Sequence, residues 1–232
     1  MWVTTVIWLC LIGSTGALTG WGVRRSCKLD LAASATDVPS EVEASVFSGK
    51  GCVLLAQPGE HDHFLHKGAV LVFEYDPKKG AQGALLGRPS AFSLGETAPN
   101  MPAPLQPNTL FIGGQHGQDM AVMFHKFPFE GSSKHVGNGM YVGGLKEARQ
   151  ALEERSAHPR DFKFIFNCVE WPPGALEREI EDGKWDVVRM PPDMVLEQKG
   201  SSAEAIWSRA RKKLKAAGVD ITPSTDNDDD QA

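Results

Sequence analysis

Three histidines fall in the short run Glu60-His61-Asp62-His63-Phe64-Leu65-His66, the densest group of metal-competent side chains in the chain. His61 and His63 would share one face of an extended segment, where imidazoles suit zinc or another transition metal. No fourth ligand follows at a diagnostic spacing, so a polar loop is the favoured reading, and no metal or other cofactor is expected. A second group, Gly113-Gly114-Gln115-His116-Gly117-Gln118-Asp119, could line a backbone pocket in which His116 acts as a base oriented by Asp119. A tight turn with a solvated imidazole is the simpler reading. Gly137-Asn138-Gly139-Met140-Tyr141-Val142-Gly143 has the wrong spacing for a phosphate loop or a dinucleotide fingerprint, and its glycines suit a close crossing of chains. Cys168 stands just before a turn into a helix, where nucleophiles occur and where a helix N-terminus lowers a thiol pKa. It lies in phase with Phe162, Phe164 and Phe166, which argues for burial and an inert thiol. Glu170 and Glu177 form a candidate carboxylate pair, although Glu177 also suits the first turn of a helix. Arg88, before Pro89, could bind an anion or pair with an acid.

The elements that must position these groups centre on residues 162–188. Phe162, Phe164, Phe166 and Cys168 alternate with Lys163, Ile165 and Asn167, which predicts a half-buried strand. Trp171-Pro172-Pro173-Gly174 stops it, Leu176 and Ile180 mark a short helix, and Gly183 precedes a strand from Trp185. Upstream, Cys52-Val53-Leu54-Leu55-Ala56 is a strand. Ala69 to Tyr75, the turn Asp76-Pro77-Lys78-Lys79-Gly80 and Ala84-Leu85-Leu86 predict a hairpin. Residues 93–108, with four prolines, read as a long connection inside one domain. Thr109 to Ile112, Met120 to Phe124 and Met140 to Val142 are strands, and residues 131–139 a polar loop. Leu145, Ala148, Ala151 and Leu152 mark a helix. Ser201 and Glu204 match a capping box for a last helix with Ile206, Trp207, Ala210 and Leu214 inward. Arg209, Arg211, Lys212, Lys213 and Lys215 fall largely on its other side, where a solvated face is favoured over nucleic-acid binding. Strands early and helices late give an α+β class.

The chain has 232 residues, 41% hydrophobic and 23% charged, enough for one domain with a real core. Its net charge of −5 removes any global attraction to nucleic acid or anionic lipid. The four cysteines form no C-x-x-C pair. Trp2 to Ile12 is an uncharged apolar run too short to span a bilayer, followed by the small residues Thr15-Gly16-Ala17. It reads as a signal peptide over residues 1–17, with a membrane anchor as the alternative. Arg24, Arg25 and Lys28 make residues 18–45 resemble the second part of a plastid leader, with simple secretion as the alternative. Residues 46–218 form the domain, and residues 219–232 an acidic, disordered tail.

Several stretches resemble, in order, the AlgH-like family of uncharacterised proteins. They are Gly51 to Pro58, Phe64 with Ala69-Val70-Leu71, Gly80 to Pro89, Leu110 to Gly114, His125, Met140 to Gly143, Trp171 to Glu177, Trp185 and Trp207. The resemblance implies a bifurcated mixed β-sheet with a small barrel-like part, surrounded by helices. The family brings no agreed catalytic residues. Departures at Gly87, at Gln115-His116 and over residues 167–170 bear on any ligand site built there. The expected function is a non-catalytic binding or regulatory domain with a protein or small-molecule partner. The alternative is a small-molecule enzyme or ligand sensor using the glycine-rich turns near His116. A DNA-binding regulator ranks third, and no membrane span is expected once the leader is cleaved. The candidate ligand-binding residues are Arg88, Gly113, Gly114, His116, Tyr141 and Trp171.

Overall fold

The computed structural model describes residues 38–198 and 202–219. The expected signal peptide, residues 18–37 of the linker, Ser201 and the tail from residue 220 lie outside the described residues. Apolar runs become strands where they were expected. Val53–Ala56 is β2, and Ala69–Asp76 (β3) turns through Pro77 into Gly80–Leu85 (β4) as an antiparallel hairpin. The turn is held by the Lys78 amide, which donates to Asp76 Oδ1 at 2.8 Å. A two-residue strand, Glu43–Ala44 (β1), pairs with Trp185–Arg189 (β11), which in turn pairs with β2. Val42 is already in the core, so the folded chain starts upstream of the expected boundary at residue 46.

The centre is Lys163–Trp171 (β10). Thr109–Ile112 (β6) runs parallel to it and His116–His125 (β7) antiparallel, both against Phe164, Ile165 and Phe166. A strand has two edges, so β6 and β7 must lie on opposite sides of β10. The three residues between them therefore step across β10. Beyond the crossing, β4 takes over the edge that β6 leaves, pairing with Val169, Glu170 and Trp171. The sheet forks here. The crossing is possible because β10 bulges at Asn167, whose φ is +60°, and because the crossing chain has no side chain at its closest points. A Cβ on Gly114 would fall inside the Cys168 carbonyl group, and one on Gly113 would meet the Asn167 carbonyl oxygen at 2.6 Å.

From the fork the sheet continues through β7 to Met140–Gly143 (β9) and Ser133–Gly137 (β8). It curls until β8 faces β3. Lys134 on β8 pairs with Glu74 on β3, and the Asn138 amide donates to the Gly51 carbonyl at 2.6 Å. The expected barrel-like part does not close. Among the described residues β8 and β3 share no ladder, and the gap is bridged by side chains and by the approach of Gly137 to Gly51, where a Cβ would stand 2.8 Å from the facing Cα. The interior of the curl is apolar, with Leu71, Phe73, Phe111, Phe124, Val136 and Ile165 among its residues. Pro192–Leu196 (α4) and Ala203–Ala216 (α5) cover it. Outside, Leu145–Glu153 (α2) and Leu94–Thr97 (α1) pack on one arm of the fork, and Ala175–Glu181 (α3) on the other. The class is α+β.

Several local expectations change. The connection at 93–108 contains α1, opened by Glu96, which accepts from both the amide and hydroxyl of Ser93, and a 3-10 turn at Ala103–Leu105. Pro89–Ser93 (β5) pairs with β6, and the loop expected at 131–139 contains β8. The last helix is capped by Ser202, whose hydroxyl accepts from the Ala205 amide at 3.0 Å. Arg211, expected on the solvated side, is buried against Trp207 and donates to Asp186 at 2.8 Å. The strand expected to be half-buried is covered on both faces, and even Lys163 on it is fully buried.

Gly114→Ala is expected to cost at least about 3 kcal/mol, since the new methyl can be housed only by moving β10. Gly131→Ala, with φ +70° and open space around it, is expected to cost about 1–2 kcal/mol through backbone strain alone. Urea unfolding midpoints of the two variants check the ordering.

Candidate functional site

Register across β3, β4 and β10 brings polar side chains to one place. Glu74 on β3 stands opposite Gln82 on β4, and Gln82 opposite Glu170 on β10. Cys168 and Glu170, two residues apart, share a face of β10. Cys168 belongs to the interior of the curl, so Glu170 stands at its mouth. His116 starts β7 opposite Cys168. Glu74, Gln82, Glu170 and His116, with Tyr75, Lys79, Trp171 and Pro172, line an open groove of about 590 Å³, and Cys168 is buried behind Glu170. That size suits a small molecule, and the mouth of a curled sheet is a common place for one.

The groove is wired. Gln82 Nε2 donates to Glu170 Oε1 at 3.0 Å, and the Cys168 thiol lies 3.6 Å from the same oxygen. Burial, the Glu170 charge and this hydrogen bond push the thiol pKa up to about 12, so Cys168 is a closed floor and not a nucleophile. Tyr75 donates to Glu177 at 2.6 Å, and this bond, with burial and the carboxylate charge, raises its phenol pKa. Glu177 is therefore taken by Tyr75 and Glu170 by Gln82, so the two carboxylates do not act as a pair. Trp171 and Trp185 both donate their indole N–H to Glu179 Oε2, at 2.9 and 2.8 Å, which fixes the wall of the groove to α3. Glu74 is held by Lys134 and by Lys50 at 3.8 Å.

Of the residues singled out by sequence, His116, Glu170 and Trp171 meet in this groove. Gly113 and Gly114 lie behind it, filled by the crossing. Arg88 covers the ring of Phe64 at 4.2 Å, and Tyr141 sits between His125 and His135 on the other arm. His125 is fully buried, with Nε2 2.9 Å from the Gly143 carbonyl and Nδ1 accepting from the Phe127 amide. Burial pulls its pKa down to about 4, so it is a neutral core group. His61 packs on Trp185 with Nε2 2.9 Å from the Lys184 carbonyl, while His63 and His66 are exposed. Among the described residues no three His, Cys, Asp or Glu side chains gather to hold a metal ion. Sequence reasoning missed Glu74 and Gln82. The tight turn at Asp76–Gly80 was the signal that would have set them opposite each other, since the register runs unbroken from Asp76 and Gly80 to Glu74 and Gln82, and the bulge lies beyond them towards Val72.

The sequence profile of the AlgH-like family matches residues 53–219. A UPF0301 protein of Xylella fastidiosa strain M23 is 28% identical over 180 residues, covering 75% of this chain and 92% of its own. One from Stenotrophomonas maltophilia strain K279a is 26% identical over the same shares. A crystal structure of a Corynebacterium diphtheriae protein superposes with a TM-score of 0.60 at 21% identity, covering 78% of this chain and 91% of that one. The solution structure of the AlgH protein from Pseudomonas aeruginosa gives 0.56 at 20% identity, over 78% and 99%. The chain belongs to the AlgH-like family.

With Cys10 and Cys27 changed to Ser, the native protein is expected to leave Cys52 and Cys168, both buried, unmodified by a thiol reagent at pH 8. It should take up two equivalents once unfolded. Rapid labelling of Cys168 in the native state would contradict the closed floor.

Proposed function

We propose that this AlgH-like chain is a non-catalytic binding protein that takes a small polar ligand in the groove at the mouth of its curled sheet. The observation that carries the reading is the convergence of the exposed imidazole of His116 with the Gln82–Glu170 pair above a thiol held protonated. Such a groove offers donors and acceptors to a ligand without an activated nucleophile beneath it. An enzyme using His116 as its base is the second reading, favoured by the same exposed imidazole. It is weakened because Asp119, the expected orienting carboxylate, is itself exposed on β7. DNA binding through α5 finds little support, since Arg209 pairs with Glu197, Arg211 with Asp186 and Lys213 with Glu41. We also propose that residues 1–45 deliver the domain to the secretory route and on to a plastid. A reporter carrying this segment that stayed in the cytosol would contradict that part.

Thermal denaturation of the full chain against amines, amino acids, carboxylic acids and nucleotides tests the groove. One class is expected to raise the melting temperature, and a ligand at a hundred times its Kd adds about 2.7 kcal/mol. The gain should shrink in both Glu170→Gln and His116→Ala. An unchanged shift in both variants would remove the groove as the binding site.

A further inference from the structure

Lys163 is the most deeply buried charged side chain among the described residues, at 0% exposure. Its Nζ donates to the carbonyls of Val195 at 2.8 Å and Glu197 at 2.9 Å, and lies 4.5 Å from the centre of the Phe111 ring. It thus reaches from the central strand to the far end of α4. That helix has five residues, too few to hold itself together in water, and it joins no sheet. Met190, Val195 and Leu196 press on the interior of the curl. The segment is kept in place by that apolar contact, by Lys163, and by surface ties: Gln198 to the Arg160 and Phe162 carbonyls, Lys126 to Asp193, and Arg209 to Glu197. Elements of this kind open locally before the rest of a fold.

We propose that residues 190–198 form a strap over the interior of the curled sheet and that the Lys163 amine is its proton-sensitive latch. The charged groups facing the amine are few. Glu197 acts on it and favours the ammonium; Asp193 is spent on Lys126, and on α5 Arg209 is spent on Glu197 and Arg211 on Asp186. Its neighbour across β7 is Phe124 and on β6 Phe111, while His125, next along β7, is bound to Gly143 and Phe127. Burial outweighs Glu197 and brings the amine from its usual 10.5 down to about 7. A neutral amine keeps two N–H donors, enough for the two carbonyls it meets. When the strap lifts, water returns to the amine and its ordinary proton affinity is restored. Between pH about 7 and 10.5 the open form therefore carries a proton that the closed form lacks. Acidification through this window favours opening, by up to about tenfold per pH unit, and alkalinity closes the strap. Below about pH 7 both forms hold the proton and the dependence ends.

Amide hydrogen exchange of the full chain from pH 7 to 9, referred to intrinsic rates, reads the latch directly. Val195 and Leu196 amides are expected to exchange faster than those of Val122 and Ile165, with protection rising up to about tenfold per pH unit. In Lys163→Met, strap protection should be independent of pH. Strap protection flat with pH in the wild type would overturn the latch. So would equal protection of strap and sheet amides, which would assign the proton uptake to global unfolding. The wild-type comparison decides even if Lys163→Met fails to fold.

Discussion

Gly114 crosses β10 so closely that no Cβ fits between it and Cys168, and most of the architecture depends on that passage. Because the chain steps over the strand there, β6 and β7 can flank β10 on both edges, and β4 can take the edge that β6 vacates. One arm of the fork curls around an apolar interior. The crossing also leaves His116 at the start of β7, beside the mouth of that interior. The polar row Glu74–Gln82–Glu170 is drawn up from the other arm. The groove is thus a product of topology before it is a product of particular side chains.

Polar groups taken inside follow one rule: each is given partners from a different element. Lys163 ties β10 to α4, His125 ties β7 to the end of β9, and Arg211 ties α5 to β11. Burying such groups costs energy that the hydrogen bonds only partly return. In exchange they fix how helices sit on the sheet, a job that apolar contacts perform with less directional precision. Asn167 Oδ1, buried at the bulge without a hydrogen-bond partner, marks where the crossing forces a cost that no neighbour offsets.

The strands with continuous apolar runs, β2, β3 and β6, were legible from sequence because their period and their Gly or Pro stops coincide. So were the Trp171 turn and α3. Others were not. Pro89–Ser93 lacks apolar alternation, since it is an edge strand with most of its side chains exposed. The polarity of residues 133–137 hid β8 for a related reason. The burial of β10 was misjudged because alternation assigns one face of a strand to solvent, whereas β10 is covered on both. The glycines at 113 and 114 were noticed as a pocket; their role is to let backbone meet backbone. Of the site, His116, Glu170 and Trp171 were visible, while Gln82 and Glu74 meet Glu170 only through the pairing of β4 with β10, which no local signal announces.

The central claim is that binding happens at the mouth of the curl. A backbone-amide NMR titration of the full chain with the small-molecule class that stabilises it tests this most directly. Shifts confined to Glu74, Gln82, His116 and Glu170 with their neighbours are predicted. Shifts gathered instead along α5, with the mouth unmoved, would contradict the account.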